Sequence, residues 1–422
     1  MAPRVAPSAA IVVTGSELVR GDRRDANGPF FAQSLLSLGI EASRITVVGD
    51  SADELERAFR EGLQHDLLAI SGGLGPTHDD RTVELLARAA GLDLETNVDL
   101  ERQIEERSRA TAERLRRPYA DFAPGVRKQA TMPAGAVVVG LAGTAPALVV
   151  QAGGCVVALL PGPPRELQTL WPRALETDEV RAVLARARGA TRRSLRLFGV
   201  SESAVAQALA DAGGDGRGVE ATICAHDLEI HVDLMVDPDA GARAEQLLDR
   251  LAGPLEAYLY ARDDSSRVEE IVLRLCRDRG LTLATAESCT GGMVAERLTS
   301  VPGSSDVFVG AIVAYANAVK LGELGVSAET LQEHGAVSAE TAAAMARGVC
   351  ERLGADVGVA VTGIAGPDGG TDEKPVGLVY AHAVSAGGEL AVELSYGGDR
   401  ETVRRRATAA ALHLVRKLVT EL

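Results

Sequence analysis

Leu67-Leu68-Ala69-Ile70-Ser71-Gly72-Gly73-Leu74-Gly75-Pro76-Thr77-His78-Asp79-Asp80-Arg81-Thr82 decides the fold of the first part of the chain. The apolar run ending at Ser71 reads as a buried strand, the glycines as a tight loop, and Thr82 as the opening of a helix. Outward from it, Ala10-Ile11-Val12-Val13 and Ile45-Thr46-Val47-Val48 repeat the strand signature. Asn27 to Leu38 carries Phe30, Phe31, Leu35 and Leu38 on one helical stripe, and Ala52 to Leu63 carries Leu55, Phe59 and Leu63. The pattern is βαβαβ, which predicts parallel strands, right-handed crossovers and functional groups at the carboxyl ends of the strands.

At such an end, Gly72, Gly73 and Gly75 let backbone N–H groups approach an anion, and the helix start at Thr77 to Thr82 adds a positive partial charge. Phosphate or pyrophosphate is the ligand this chemistry suits. The spacing is not GxxxxGK[ST], which excludes a Walker ATPase, and not GxGxxG, which disfavours a nicotinamide dinucleotide fold. Asp79 and Asp80 suit a hard divalent cation bridging ligand phosphates. Glu17, Asp25 and Asp50 follow or adjoin the first two strand ends, so parallel topology predicts them at the same edge. The plainer reading of Asp79 and Asp80 is an interaction with the helix dipole.

The 422 residues suggest two to four domains, and 46% hydrophobic with 24% charged residues is a globular composition. The net charge of −15 disfavours a large phosphate-backbone footprint, so nucleic acid is not the expected partner. The five cysteines are scattered without a CxxC pair and fit a reducing compartment. The amino-terminal apolar stretch is too short for a signal peptide. Gln129 to Pro164 carries no charge, yet its glycines and prolines argue against a membrane span and for two short buried strands around Gly153-Gly154. A cytoplasmic protein is expected.

Leu100 to Leu115 reads as a charged helix, and Pro161-Gly162-Pro163-Pro164 as the turn closing the first domain. A smaller αβ unit follows, with a strand at Ser194 to Phe198, a helix at Glu202 to Ala212 and strands around Ala221 to Cys224 and Leu228 to Met235. The polar run Ala261 to Ser266 marks the last boundary, beyond which helix and strand alternate to a terminal helix at Thr402 to Leu418.

In this last part the strand Leu281 to Ala286 runs into Glu287-Ser288-Cys289-Thr290-Gly291-Gly292 and then a helix. Such a junction presents hydroxyls beside free N–H groups that bind a phosphate or form an oxyanion hole. Pro302-Gly303-Ser304-Ser305, Tyr315-Ala316-Asn317-Ala318-Val319-Lys320 and Thr362-Gly363-Ile364-Ala365-Gly366-Pro367 adjoin further strands. Hydroxyls with a lysine and no histidine in these motifs point to serine hydrolysis of the Ser-Lys type, with amide hydrolysis as the reaction class. Cys289 is the rival nucleophile. The plainer readings are helix capping for Ser288 and Thr290, and a solvated helix face for Lys320.

Thr14-Gly15-Ser16-Glu17-Leu18, Asp25-Ala26-Asn27-Gly28, Val48-Gly49-Asp50 and the glycine loop, continued by Lys128-Gln129, Gly143-Thr144-Ala145-Pro146 and Leu160-Pro161-Gly162, resemble the molybdopterin-binding-type domain of the CinA (competence/damage-inducible protein A) family. From about Val268 onward the motifs above are similar to the CinA C-terminal domain, a nicotinamide-nucleotide amidase that converts nicotinamide mononucleotide to nicotinic acid mononucleotide and ammonia. The resemblance implies an α/β protein in three parts. Residues 1–175 would be a molybdopterin-binding-like three-layer αβα domain, 176–262 a small α+β KH-like domain, and 263–422 the α/β amidase domain.

The resemblance marks Ser288, Ser305, Tyr315, Lys320 and Thr362 as functional, with Ser305 favoured over Ser288 as nucleophile and Lys320 as its base. Thr290, Gly291, Gly292, Gly363, Arg400 and Arg404 would hold the substrate, an arginine fork suiting its phosphate. No cofactor is implied for the amidase. In the first domain, which some family members use as a metal-dependent ADP-ribose pyrophosphatase, Gly72, Gly73, Gly75 and Thr77 would bind ligand, and Asp50, Asp80 and Glu17 would hold Mg²⁺, Mn²⁺ or Co²⁺. Ser16 stands where the family often has Asp. The middle unit lacks a clear GXXG loop and reads as a spacer or interface. A homodimer is implied, with small nucleotides as partners and no membrane. The alternatives are a first domain that binds a nucleotide or molybdopterin-type ligand without turnover, and a competence- or DNA-damage-related interaction protein.

Overall fold

A computed structural model describes residues 7–187 and 191–422. The start of the amino-terminal stretch, and residues 188–190 inside the expected middle domain, lie outside the described residues. The chain divides into two compact units, one formed essentially by the residues up to Thr191 and one by Arg192–Val236 with Ala240–Leu422.

The first unit is built on strands β1 (Ala9–Thr14), β2 (Ala42–Val48) and β3 (Leu67–Ser71), a ribbon of β4 (Leu94–Thr96) with β5 (Thr131–Pro133), and β6 (Val137–Leu141), β7 (Pro146–Ala152) and β8 (Cys155–Leu160). The main sheet has the order β2-β1-β3-β8-β7-β6. β2, β1, β3 and β8 are parallel, whereas β7 and β6 join antiparallel, β7 pairing β8 across the expected Gly153-Gly154 turn. Every residue of β1, β3 and β8 is buried, as strands covered on both faces require. Alternate residues feed two cores. Ala10, Val12, Leu68 and Ile70 pack with Leu55 and Phe59 of helix Ala52–Gly62, while Ile11, Val13 and Ala69 pack with Phe31 of helix Asn27–Ser37 and Trp171 of helix Pro164–Leu175. This is the three-layer αβα arrangement. The uncharged segment forms β5 to β8, and no described helix is long and apolar enough to cross a membrane.

The second unit begins with a four-stranded sheet of order β10-β11-β9-β12, formed by β9 (Thr191–Phe198), β10 (Val219–His226), β11 (Glu229–Val236) and β12 (Leu259–Arg262). Helices Glu202–Asp211 and Gly241–Leu255 contribute Val205, Leu247, Leu248 and Leu251 to its core. A five-stranded sheet follows, formed by β13 (Leu283–Glu287), β14 (Phe308–Val313), β15 (Val357–Gly363), β16 (Leu378–Ser385) and β17 (Gly388–Ser395), in the order β14-β13-β15-β16-β17. β14, β13 and β15 are parallel, and β16 and β17 form an antiparallel extension. Helices Val268–Arg279 and Arg400–Glu421 build the core on one face, and helix Ala339–Leu353 packs on the other. The three expected parts are therefore present, an αβα domain, a small KH-like α+β domain and an α/β domain.

Candidate active site

The parallel register of β14, β13 and β15 sets Glu287 opposite Val313 and Val361, so three strands end together. Ser288 comes off the central one and donates its N–H to Val361 O at 2.9 Å. Lys320 lies in the opening turn of helix Asn317–Leu324 and is 1% exposed. Its Nζ lies at hydrogen-bond distance, 3.1 Å, from Ser288 Oγ and donates to Ala314 O at 2.7 Å and Tyr315 O at 3.4 Å. Among the described residues no carboxylate pairs with it. Burial therefore pushes the ammonium below its ordinary pKa of 10.5. Two carbonyls and a hydroxyl suit a neutral amine, whose two N–H groups satisfy the carbonyls while its lone pair faces the hydroxyl. The solvated-face reading of Lys320 is excluded by its burial.

The capping reading of Ser288 and Thr290 is also excluded, because Glu287 performs that task. Its wholly buried carboxylate accepts from Gly292 N at 2.9 Å, Val294 N at 3.1 Å and Ala295 N at 2.9 Å. The same bonds occupy N–H groups that the sequence offered for an oxyanion hole. The N–H groups of Cys289 and Thr290 instead turn toward the Cys289 sulfur. Burial raises that thiol to about 12, so it is protonated at neutral pH and fills the turn without serving as a nucleophile. Thr290 is fully buried and its Oγ1 has no partner among the described residues. Gly291 and Gly292, with φ of +61° and +97°, shape this turn.

Arg404 and Arg400 have different roles. Arg404 Nε donates to Cys289 O at 3.1 Å and Nη2 to Thr290 O at 2.8 Å, committing its guanidinium to the turn. Arg400 is exposed at the rim, where Nη2 donates to Tyr315 Oη at 2.8 Å and Nη1 to Gly366 O at 2.7 Å. Thr362 is buried with its hydroxyl donated to Ala336 O at 2.7 Å, and Gly363 allows β16 a close approach, since a Cβ there would lie 2.7 Å from Leu378 O.

Ser305 is the residue the fold does not bring in. It is exposed in the short helical turn Ser304–Asp306 that precedes β14. Phe308 pairs with Leu283 and Val313 with Glu287, so Ser305 and Ser288 lie at opposite ends of the sheet. Their separation is on the order of 15–20 Å at about 3.3 Å per strand residue. The favoured Ser305–Lys320 pairing is corrected on this ground: within one chain the lysine meets Ser288. Glu287 is the functional neighbour that the sequence reading passed over, although a carboxylate just ahead of a glycine turn and helix was its visible signal.

In the first unit, a cleft of about 570 Å³ opens at the carboxyl ends of β1, β2 and β3 and is lined by Glu17, Asp25, Asp50, Asp80 and the glycine loop. Gly72 and Gly73 have φ of +100° and +66°, and a Cβ on them would lie 2.6 Å and 2.1 Å from the hydroxyls of Thr14 and Thr82. Ser16 donates both its N–H, at 3.2 Å, and its hydroxyl to Asp50 Oδ2. Asp80 accepts the Thr77 N–H at 2.9 Å and the Thr77 hydroxyl, so Thr77 closes the loop on this carboxylate. Asn27 donates to Ser71 Oγ and Gly162 O at 2.8 and 2.7 Å, but its buried Oδ1 and the buried Thr14 Oγ1 have no partner among the described residues. No three His, Cys, Asp or Glu residues among those described form a metal-holding cluster. Carboxylates spread along one cleft fit a hard cation held by one or two protein oxygens and completed by ligand phosphates and water.

Three family profiles match the chain. "Probable molybdopterin binding domain" covers residues 10–179, "Damage-inducible protein CinA KH domain" 192–261, and "CinA C-terminal domain" 265–419. A "CinA-like protein" of Mycolicibacterium paratuberculosis is 42% identical, with 99% of each chain covered. This chain belongs to the CinA family. A CinA-like protein of Mycobacterium tuberculosis is 40% identical over 99% of this chain and 98% of its own. Among solved structures, the competence/damage inducible protein CihA from Agrobacterium tumefaciens is 45% identical, covering 36% of this chain and 94% of its own, with a TM-score of 0.35. The protein CinA from Thermoplasma acidophilum is 34% identical, covering 41% and 99%, with a TM-score of 0.36. CinA membership gives the chain a hydrolase domain of amidase type at its C-terminal end.

Proposed function

We propose that the C-terminal domain deamidates nicotinamide mononucleotide, with Ser288 as nucleophile and Lys320 as general base. The observation carrying this reading is the buried Lys320 Nζ, 3.1 Å from Ser288 Oγ and free of any carboxylate partner among the described residues. Neutral Lys320 takes the Ser288 proton as Oγ attacks the carboxamide carbon. Lys320 returns the proton to the leaving nitrogen, and ammonia departs. Water, deprotonated by the same lysine, then cleaves the acyl-enzyme, giving the nicotinic acid nucleotide and restoring Ser288. The unpartnered Thr290 hydroxyl supplies a hydrogen bond inside the site, and exposed Arg400 beside Tyr315 takes the phosphate. In this reading Thr362, Gly291, Gly292 and Gly363 shape the pocket without reacting. Ser288→Ala and Lys320→Ala are each expected to lower ammonia release from nicotinamide mononucleotide by about 10³-fold, the scale of general-base catalysis. Full activity in Ser288→Ala with loss in Ser305→Ala would return the nucleophile to Ser305.

For the first domain we propose a nucleotide pyrophosphate ligand such as ADP-ribose, with Asp50, Asp80 and Glu17 as the residues that would hold a divalent cation. The cation supplies charge stabilisation on the pyrophosphate when bound. The chain's own part is to orient the ligand on the glycine loop and to offer it the unpartnered Thr14 and Asn27 oxygens. Those two buried oxygens equally favour a binding module without turnover. Phosphate release from ADP-ribose after phosphatase treatment, measured with Mg²⁺, Mn²⁺ or Co²⁺, separates the two, since a binding module shows metal-dependent affinity with no product. The dimer is part of the same reading, checked by sedimentation.

A further inference from the structure

The KH-like domain and the amidase domain meet through one histidine and one hairpin. His413, on the C-terminal helix Arg400–Glu421, is 3% exposed and enters a box made by the middle sheet. Phe198 of β9 stacks on its ring at 3.9 Å and 14°, Tyr260 of β12 meets it edge-on at 4.7 Å, and Glu229 of β11 accepts from Nε2 at 2.8 Å. Arg416, on the same helix, donates to Nδ1 at 3.4 Å, which fixes the proton on Nε2.

The hairpin between β10 and β11 reaches the same helix. His226 pairs with Glu229, leaving Asp227 and Leu228 as a two-residue turn with φ of 46° and 72°. Both values are left-handed, the geometry that usually takes Asn-Gly. A leucine is strained there. Its side chain packs against the amidase core, and Asp227 forms an ion pair at 3.4 Å with Arg405. The preceding residue, Arg404, holds the carbonyls of Cys289 and Thr290. The middle domain thus grips the helix that fixes the Ser288 turn.

We propose that the middle domain is a working part of the amidase site, and that Asp227, Glu229 and His413 are positioning residues acting on Ser288 through Arg404. This rests on the amidase reading for its catalytic consequence, but not for its structural one. The chemistry is a charge and hydrogen-bond clamp, and it assigns the KH-like fold a task that needs no nucleic acid.

The test uses the full chain with Glu229→Gln, Asp227→Asn and, as a control, Val205→Ala, which weakens the middle core away from the clamp. Hydrogen exchange across 287–295 reads the turn without substrate, and ammonia release reads catalysis. Exchange in the turn is expected to rise in both clamp variants, and kcat to fall by about tenfold with KM little changed. Val205→Ala, despite its lower melting temperature, should do neither. The Glu229→Gln and His413→Asn effects on kcat should be non-additive. Unchanged exchange in folded Glu229→Gln, or an equal fall of kcat in Val205→Ala, overturns the proposal. Raised exchange in a chain whose parent releases no ammonia supports the clamp and instead overturns the amidase reading.

Discussion

Lys320 and Asp50 occupy corresponding places in two separate sheets, each just beyond the carboxyl end of a parallel strand, yet their surroundings are opposite. Lys320 is dry, touches only neutral oxygens and already lies at hydrogen-bond distance from Ser288. Asp50 is partly solvated, has one oxygen occupied by Ser16, and shares its cleft with other carboxylates that do not converge. The first arrangement is organised for proton transfer before substrate arrives. The second holds excess negative charge beside a phosphate-compatible loop, which is unfavourable for an anionic ligand until a cation intervenes. The same strand-end geometry therefore serves two different chemistries in the proposed reading, acyl transfer in one domain and ligand-dependent ordering in the other.

The largest expected effect breaks this comparison at its base. The double variant Ser288→Ala/Lys320→Ala should lose no more ammonia release than either single variant, about 10³-fold, because the two side chains act as one device. Losses that multiply would mean that the hydroxyl and the amine serve separate steps. Next, EDTA should leave ammonia release unchanged while weakening ADP-ribose binding by about tenfold or more, and Asp50→Asn should make that binding indifferent to added Mg²⁺. ADP-ribose affinity independent of both would show that the cleft manages its charge without a cation.

A smaller effect concerns pH. Because burial lowers the Lys320 pKa, the amine gains its reactive neutral form below pH 10.5. The kcat/KM profile for ammonia release should rise with pH through this lowered pKa and then level off. A limb that still climbs at pH 10.5 would place an ordinary, solvated ammonium in the site.

Much of this was legible in the chain. The continuous apolar run at Ala9–Thr14, buried throughout, and the glycine loop after Ser71 pointed to the doubly wound first unit, since an all-apolar strand demands cover on both faces. The convergence of Ser288, Tyr315, Lys320 and Thr362 also followed from strand-end reasoning, because parallel strands deliver their carboxyl ends to one edge. What the chain did not show was which of two serines the lysine meets. Ser304-Ser305 and Ser288 both adjoin a strand, but one precedes its strand and the other follows, and only register separates the two ends. The clamp at His413 was not legible, because a lone histidine in a helix shows nothing of the three strands that enclose it. Nor was the division between Arg404 and Arg400, which depends on which carbonyls each fork meets.

The smallest expected effect separates the lysine's chemical value from its structural cost. A buried amine whose pKa is lowered in the fold opposes folding, and the opposition fades as pH rises from that lowered pKa toward the ordinary value of 10.5. Its folded pKa is lowered, so the unfolded chain binds more protons and stability grows with pH across that window. Lys320→Met removes this term while keeping an unbranched side chain one atom shorter. It leaves the Ala314 carbonyl short of a donor, a partial offset of about 1 kcal/mol. The variant should therefore release no ammonia yet melt at the same temperature as the parent or a few degrees higher at pH 7, with the gain shrinking as pH approaches 10.5. A Lys320→Met protein that melts well below the parent across this pH range would mean that the lysine's hydrogen bonds outweigh its desolvation, and that the site holds a charged, structural ammonium in place of a base.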